Sequence, residues 1–113
     1  MPCLNIETNV KLEGVETEAF FSEVTRAVAS IIGRPQNMVM VVLKGSIDIR
    51  FGGTEEAAAF GEIVSMGGIT KRVKRQLISA VGSILHSRVG VPPSRFVLKV
   101  LDLTSLPLPP SKL

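Results

Sequence analysis

Residues 17–32 carry apolar side chains at helical spacing. The stripe consists of Phe20, Phe21, Val24, Ala27, Val28, Ile31 and Ile32. Because positions three and four apart share one face of a helix, this pattern predicts an amphipathic helix. Gly33 follows as a candidate left-handed C-cap, and Pro35 lies just beyond it. The apolar run MVMVVL at 38–43 then predicts a buried strand.

The same pattern recurs 57 positions further along the chain, where Gly90 takes the place of Gly33. The second apolar stripe consists of Leu77, Ile78, Val81, Ile84 and Leu85. The strand recurs as RFVLKVL at 95–101. Residues 59–66 alone fit either a helix or a strand, but the same offset overlays FGEIVSM on LNIETN near the N-terminus. The repeat therefore predicts a first strand there and another at 59–66.

Each half of the chain is thus predicted to be a strand, a helix and a strand. Such a crossover is right-handed, and its two strands are parallel. Two copies predict an α+β domain with a four-stranded mixed sheet and both helices on one face. A turn at 44–46 leads into a further predicted short strand at 47–51, which a Gly-Gly pair ends. The predicted domain spans residues 1–105, and residues 106–113 form a proline-rich tail.

The second face of this sheet has no predicted cover. The runs at 38–43 and 95–101 are apolar on both sides, as in strands buried on both faces, whereas two helices on one side cover only one. Composition points the same way, because 45% of the 113 residues are hydrophobic, 20% are charged and the mean hydropathy is +0.35. Both observations predict an oligomer.

Charge and composition argue against several classes of partner. The net charge is +3, the pI is about 9.4, and Trp and Tyr are absent, whereas nucleic-acid surfaces usually carry more aromatic groups and denser cations. The basic run KRVKR at 71–75 is predicted to be a solvated helix face, with nucleic-acid binding as a weaker hypothesis. No apolar run is long enough to cross a membrane, and the start lacks a signal-peptide pattern. We expect no nucleic acid and no membrane as partners; the single cysteine fits a reducing intracellular space.

Four segments carry a family resemblance. They are PCLNIETNV, IIGRPQNMVMVVLKG, FGGTEEAAAFGEIVSMGG and VPPSRFVLKVLD. Together they resemble the macrophage migration inhibitory factor and D-dopachrome tautomerase family, most of all its plant-type members. The resemblance runs from Pro2 to about Asp102. It implies the fold predicted above, assembled as a homotrimer whose three sheets line a central barrel and so cover the open sheet faces.

The resemblance also assigns a role to Pro2. In the family the initiator methionine is removed, and the exposed proline amine acts as catalytic base or acid. An α-amino group ordinarily titrates near pH 8, and an apolar pocket lined by cations lowers that pKa towards the working pH. The implied reaction is keto–enol tautomerisation of an aromatic 2-keto acid such as phenylpyruvate, or of a dopachrome-like compound. It needs no cofactor and no metal.

Five further positions match the family's site. Arg34 stands where a family lysine holds the substrate carboxylate, a task that a guanidinium performs bidentately. Ser65 and Met66 fall on a Ser-Ile pair whose second residue donates a backbone N–H to the substrate. Val97 stands where a neighbouring subunit contributes a tyrosine, and Lys99 where the family has an asparagine.

These two departures leave an alternative open. Val97 removes an aromatic wall and a hydroxyl, and Lys99 brings another cation, which could hold a carboxylate or lower the pKa of the Pro2 amine. The tail TSLPLPPSKL also lacks the family's Gly-Trp stretch. The alternative is a non-catalytic binding or signalling module with a vestigial tautomerase pocket.

The last three residues, Ser111, Lys112 and Leu113, spell the receptor-read peroxisomal address SKL. A fixed tripeptide at one fixed place arises by chance in roughly one of 20 × 20 × 20 chains. The preceding PLPP favours a stiff, extended segment that would hold the signal in solvent. The tail therefore predicts a peroxisomal import receptor as partner and the peroxisomal matrix as the location, with the cytosol as a further one.

Overall fold

The computed structural model describes residues 1–105, so the predicted tail and its SKL signal lie outside the described residues. Six main elements follow one another along this part of the chain. They are β1 (Cys3–Thr8), α1 (Thr17–Ile32), β2 (Met40–Lys44), β3 (Ala59–Ser65), α2 (Lys71–Val89) and β4 (Phe96–Asp102). All six were predicted: both helices, β2 and β4 from the hydrophobic pattern, and β1 and β3 from the internal repeat.

Glycine and threonine mark the ends of the helices. Gly33 ends α1 with a φ of 80° and Gly90 ends α2 with a φ of 85°, a backbone region that favours glycine. The N–H of Gly90 donates to the Leu85 and His86 carbonyls at 3.0 and 3.2 Å. At the other end of α2, the Thr70 hydroxyl accepts the Val73 N–H at 3.1 Å, which satisfies one of the unpaired donors of the first turn.

The four strands form one mixed sheet in the order β2-β1-β3-β4. β1 is parallel to β2, β3 is parallel to β4, and the two halves join through antiparallel pairing of β1 with β3. In this register Cys3 lies opposite both Met40 and Val64. This is the sheet of two parallel strand-helix-strand units that the repeat predicts.

Both helices cover the same face of the sheet. The fully buried side chains between the layers include Leu4, Ile6, Phe20, Val24, Val28, Ile63, Leu77, Val81 and Leu85. Along β1 the even-numbered residues are buried and the odd-numbered ones are half-buried, as alternation of side chains across a strand requires. A bidentate ion pair between Arg88 and Glu23 joins the two helices beside this core, with nitrogen–oxygen distances of 3.0 and 2.7 Å.

No described element covers the other face of the sheet, which we call the open face. Its side chains are Cys3, Asn5, Glu7, Met40, Val42, Lys44, Phe60, Glu62, Val64, Val97, Lys99 and Leu101. Met40, Phe60 and Val97 are 59%, 43% and 47% exposed. Large apolar side chains therefore meet solvent in the single chain.

The predicted strand at 47–51 is wrong. Within the described chain this segment forms a single bridge, between Phe51 and Thr54 across a Gly-Gly turn. The N–H of Ile47 still donates to the Thr8 carbonyl at 3.0 Å, but the chain then leaves the sheet. Alternating apolar and polar residues mark an extended segment, yet a ladder also requires a neighbouring strand, and none of the four described strands pairs with this segment.

Candidate functional site

The candidate site lies at the end of the sheet where β1 begins and where β3 and β4 end. Pro2 precedes β1 and is buried, and its carbonyl accepts the Met40 N–H at 3.0 Å. The antiparallel register that pairs Cys3 with Val64 continues towards Pro2 beside Ser65. The parallel register then pairs Ser65 with Asp102.

Arg34 reaches the same end of the sheet from the C-terminus of α1. Its own N–H donates to the Ala29 carbonyl at 2.9 Å, which continues the helix-ending turn at Gly33. Its guanidinium Nη2 donates to the Met66 carbonyl at 3.1 Å. Among residues 1–105, Arg34 takes part in no ion pair. A half-exposed cation with its charge uncompensated therefore lies against the loop that follows β3.

The loop at 66–69 is held by short local hydrogen bonds. Ser65 is 1% exposed, and its hydroxyl donates to the Gly67 carbonyl at 2.8 Å. Gly67 and Gly68 both have positive φ, 86° and 81°, which lets the chain turn sharply into α2. The Met66 side chain is 55% exposed. An exposed side chain is compatible with a residue that acts through its backbone N–H.

Asp102, which the sequence analysis did not single out, anchors this loop to β4. Its Oδ1 accepts the Gly67 N–H at 3.0 Å, and it also accepts the Thr104 N–H and hydroxyl at 2.9 and 2.6 Å. These bonds, with the Thr104 hydroxyl as the largest contribution, hold the pKa of Asp102 below its usual value, although partial desolvation opposes them. The sequence offered one indication of this role, an acidic residue at the end of a predicted buried strand that runs parallel to the strand ending near Ser65.

The structure does not bring Val97 and Lys99 to Pro2 within one chain. Val97 pairs with Phe60 near the opposite end of β3 and lies five positions before Asp102, about 16 Å along the strand. Lys99 lies on the open face, where its ammonium group is 3.7 Å from a Glu62 carboxylate oxygen. One subunit therefore assembles Pro2, Arg34, Ser65 and Met66, and leaves the other two positions apart from them.

Other candidate chemistry lies away from this end of the sheet or is absent from the described chain. The cations of the 71–75 run are exposed along α2, as predicted for a solvated face, and His86 is exposed as well. Within residues 1–105 no cluster of three or more His, Cys, Asp or Glu side chains is arranged to hold a metal ion. None of the described helices combines the length and apolarity needed to cross a membrane.

The fold is a domain of two parallel strand-helix-strand units, and comparison with known proteins gives its family. The family model of macrophage migration inhibitory factor (MIF) matches residues 1–109. The chain belongs to the macrophage migration inhibitory factor family. The plant-type subdivision within that family stays a prediction.

Individual relatives agree with this assignment over nearly their whole length. The chain is 29% identical over 103 residues to a macrophage migration inhibitory factor homologue of Trichuris trichiura, covering 91% of this chain and 90% of that protein. It is similar to the solved structure of the factor from Trichinella spiralis, with a TM-score of 0.83, 26% identity and coverage of 94% and 95% of the two chains. The structure from Toxoplasma gondii gives a TM-score of 0.79 at 26% identity, with 88% of each chain covered.

Proposed function

We propose that the protein is a trimeric keto–enol tautomerase that uses the amine of Pro2 as its base, with phenylpyruvate-like or dopachrome-like compounds as substrates. The observation that supports it is the convergence of Pro2, Arg34 and Met66 at one end of the sheet, joined by the 3.1 Å hydrogen bond from Arg34 to the Met66 carbonyl. Membership of the macrophage migration inhibitory factor family is consistent with a tautomerase or a signalling role.

The chemistry requires the removal of Met1. While Met1 is attached, the Pro2 nitrogen is an amide and has no basic lone pair; once it is removed, the nitrogen is a secondary amine. We expect the burial of Pro2 and the Arg34 cation at the same end of the sheet to disfavour the protonated amine and so to lower its pKa from the ordinary value near 8. The neutral amine takes a proton from the carbon next to the substrate carbonyl and returns it to the enolate oxygen, or runs the same transfer in reverse.

Two groups orient the substrate. Arg34 donates from Nη2 to the Met66 carbonyl at 3.1 Å and from Nη1 to the Gly33 carbonyl at 3.5 Å, and its remaining N–H donors can bind a substrate carboxylate. The Met66 N–H donates to the substrate and stabilises the oxygen on which negative charge develops. Both groups stabilise negative charge on the substrate, and neither requires a bound cofactor.

The open face supports the proposed assembly as a homotrimer. Burial of Met40, Phe60 and Val97 against other copies removes exposed apolar surface from water. Since Val97 and Lys99 belong to this face and lie far from Pro2 in their own chain, a neighbouring subunit is the source from which they reach the site. Lys99 then adds a second cation for a substrate carboxylate.

The decisive experiment follows the enol-to-keto conversion of phenylpyruvate by ultraviolet absorbance. It uses protein whose mass shows the loss of Met1, beside a Pro2→Gly variant with matched thermal stability. Turnover that disappears in the variant supports Pro2 as the base. Equal turnover in the two proteins would refute a specific role of the Pro2 secondary amine, because the variant offers only the primary amine of glycine.

The second candidate function is a non-catalytic binding or signalling module. Two observations favour it. Lys99 pairs with Glu62 on the open face, and position 97 carries valine instead of an aromatic residue. Introducing Val97→Tyr and Lys99→Asn together distinguishes the two candidates. A vestigial pocket gains turnover in the double variant, whereas an active enzyme already converts phenylpyruvate without it.

We also propose that the SKL terminus directs the protein to the peroxisomal matrix through the import receptor that reads this signal. Ser111, Lys112 and Leu113 are the residues involved. A fluorescent protein fused in front of residues 106–113 tests the signal alone, and removal of the last three residues is its control. Punctate fluorescence that coincides with a peroxisomal marker supports the proposal, and diffuse fluorescence of both fusions overturns it.

A further inference from the structure

The peptide group between Met66 and Gly67 is held from both sides by side chains of opposite charge. Arg34 Nη2 donates to its carbonyl oxygen at 3.1 Å, and its N–H donates to Asp102 Oδ1 at 3.0 Å. Both bonds act on the same planar unit, so together they fix the plane and direction of that peptide. The two charges also polarise it in the same sense, which strengthens both hydrogen bonds.

Asp102 is itself held in place. The Thr104 N–H and hydroxyl donate to the same carboxylate oxygen that accepts from Gly67. A Cβ added at Gly68 would lie 3.2 Å from the Ile32 side chain, so the loop also packs closely against the end of α1. Packing therefore restricts this loop. When the carboxylate is removed, the backbone can still move at the two glycines.

We propose that Asp102 is a positioning residue of the candidate site: through the Met66–Gly67 peptide it sets the direction of the Met66 carbonyl and so the orientation of the Arg34 guanidinium. The catalytic consequence rests on the proposed function; the positioning itself does not. Asp102 touches neither substrate nor Pro2 in this scheme. Its loss lets the Met66–Gly67 peptide rotate, which moves the carbonyl that orients Arg34.

Three variants separate positioning from simple stabilisation. Asp102→Ala removes the acceptor for Gly67. Asp102→Asn keeps an oxygen that can accept the Gly67 N–H, and is the conservative variant that folds if the alanine variant does not. Thr104→Val is the matched control, because it removes one donor to Asp102 but leaves the Gly67 hydrogen bond in place.

The first measurement is the amide signals of Gly67 and Met66 by NMR, with the amide of buried Leu4 as an internal reference. In Asp102→Ala we expect both signals to shift and Gly67 hydrogen exchange to accelerate at least about tenfold, with Leu4 unchanged. Asp102→Asn and Thr104→Val retain most of the protection. Unchanged Gly67 and Met66 amides in the alanine variant overturn the proposal, whether or not the protein turns over any substrate.

The second measurement is the kinetics of phenylpyruvate with Met1-free protein. We expect Asp102→Ala to raise KM about tenfold and to lower kcat by a smaller factor, since Arg34 binds the carboxylate before reaction. If wild-type protein shows no turnover, the proposed enzyme fails while the amide test still decides the role of Asp102. Altered amides with unchanged KM and kcat reduce Asp102 to a structural residue and overturn its part in the site.

Discussion

Arg34 donates a hydrogen bond from Nη2 to the carbonyl of Met66 at 3.1 Å, so the predicted carboxylate binder and the predicted N–H donor are joined without any substrate. These residues come from different halves of the chain, one after α1 and one after β3. Preorganisation of this kind reduces the conformational freedom that substrate binding must remove. It also means that a change at Arg34 alters the loop as well as the charge.

We predict that Arg34→Ala raises the KM for phenylpyruvate by about tenfold or more, because it removes a charge-assisted, bidentate contact to the carboxylate. Arg34→Lys keeps the positive charge but loses the planar guanidinium that binds a carboxylate bidentately, so we expect a smaller increase in KM. Steady-state kinetics on Met1-free proteins checks both. Arg26→Ala, which removes an exposed cation from the middle of α1, serves as the control for net charge. An equal effect of Arg26→Ala and Arg34→Ala contradicts a specific role of Arg34.

The fold was more predictable from sequence than the site. Local patterns decide the helices and strands: the stripes around Phe20 and Leu77 bury one helix face each, and Gly33 and Gly90 end them. The internal repeat then resolved the strand at 59–66. The strand predicted at 47–51 was wrong because alternation of apolar and polar residues does not show whether a neighbouring strand exists.

The components of the site were known only through family resemblance, and their geometry required the structure. The repeat predicts parallel pairing of β3 with β4, but not the register that places Ser65 beside Asp102, nor that Gly67, 35 positions before Asp102, donates to its carboxylate. Such a bond depends on the positive φ of Gly67, which no periodic pattern encodes. Val97 and Lys99 lie apart from Pro2 in one chain because they stand in the first part of β4, away from the end of the sheet that carries Pro2.

The ion pair between Glu23 and Arg88 makes stability depend on pH. The hydrogen bond from Arg88 is the largest cause that holds the pKa of Glu23 below its ordinary value. A carboxyl with a lowered pKa in the folded state stabilises the fold above the unfolded value, about 4.3, and loses this effect as pH falls through the folded value. We therefore expect Glu23→Gln to reduce the free energy of unfolding at pH 7 and to have little effect near pH 2.

Urea unfolding of the two proteins at both pH values checks this prediction. Glu18→Gln on the first turn of the same helix is the control for loss of a negative charge. A difference between wild type and Glu23→Gln that stays constant from pH 7 to pH 2 contradicts the role of the ion pair. So does a similar pH-dependent loss in Glu18→Gln.

The Thr70 cap fixes the start of α2 directly after the site loop. Thr70→Ala leaves the Val73 N–H without its side-chain acceptor, and we expect a loss of about 1 kcal/mol in the free energy of unfolding. Thr70→Ser restores the hydroxyl and most of the stability. Chemical denaturation monitored by circular dichroism measures both. Equal stabilities of the alanine and serine variants would show that the hydroxyl does not act as a cap.

Assembly through the open face is tested by a pair of matched substitutions. Val97 and Ile78 are 47% and 40% exposed, but Val97 lies on the open face and Ile78 lies on α2, on the other side of the sheet. Aspartate at position 97 would carry an unpaired charge into a buried interface, whereas aspartate at position 78 would stay in solvent. We therefore expect Val97→Asp to dissociate the proposed trimer and Ile78→Asp to leave it intact, as measured by sedimentation velocity at matched concentrations. A monomeric wild-type protein, or a trimer that survives Val97→Asp, contradicts assembly through this face and removes the route by which Val97 and Lys99 reach Pro2 of a neighbouring subunit.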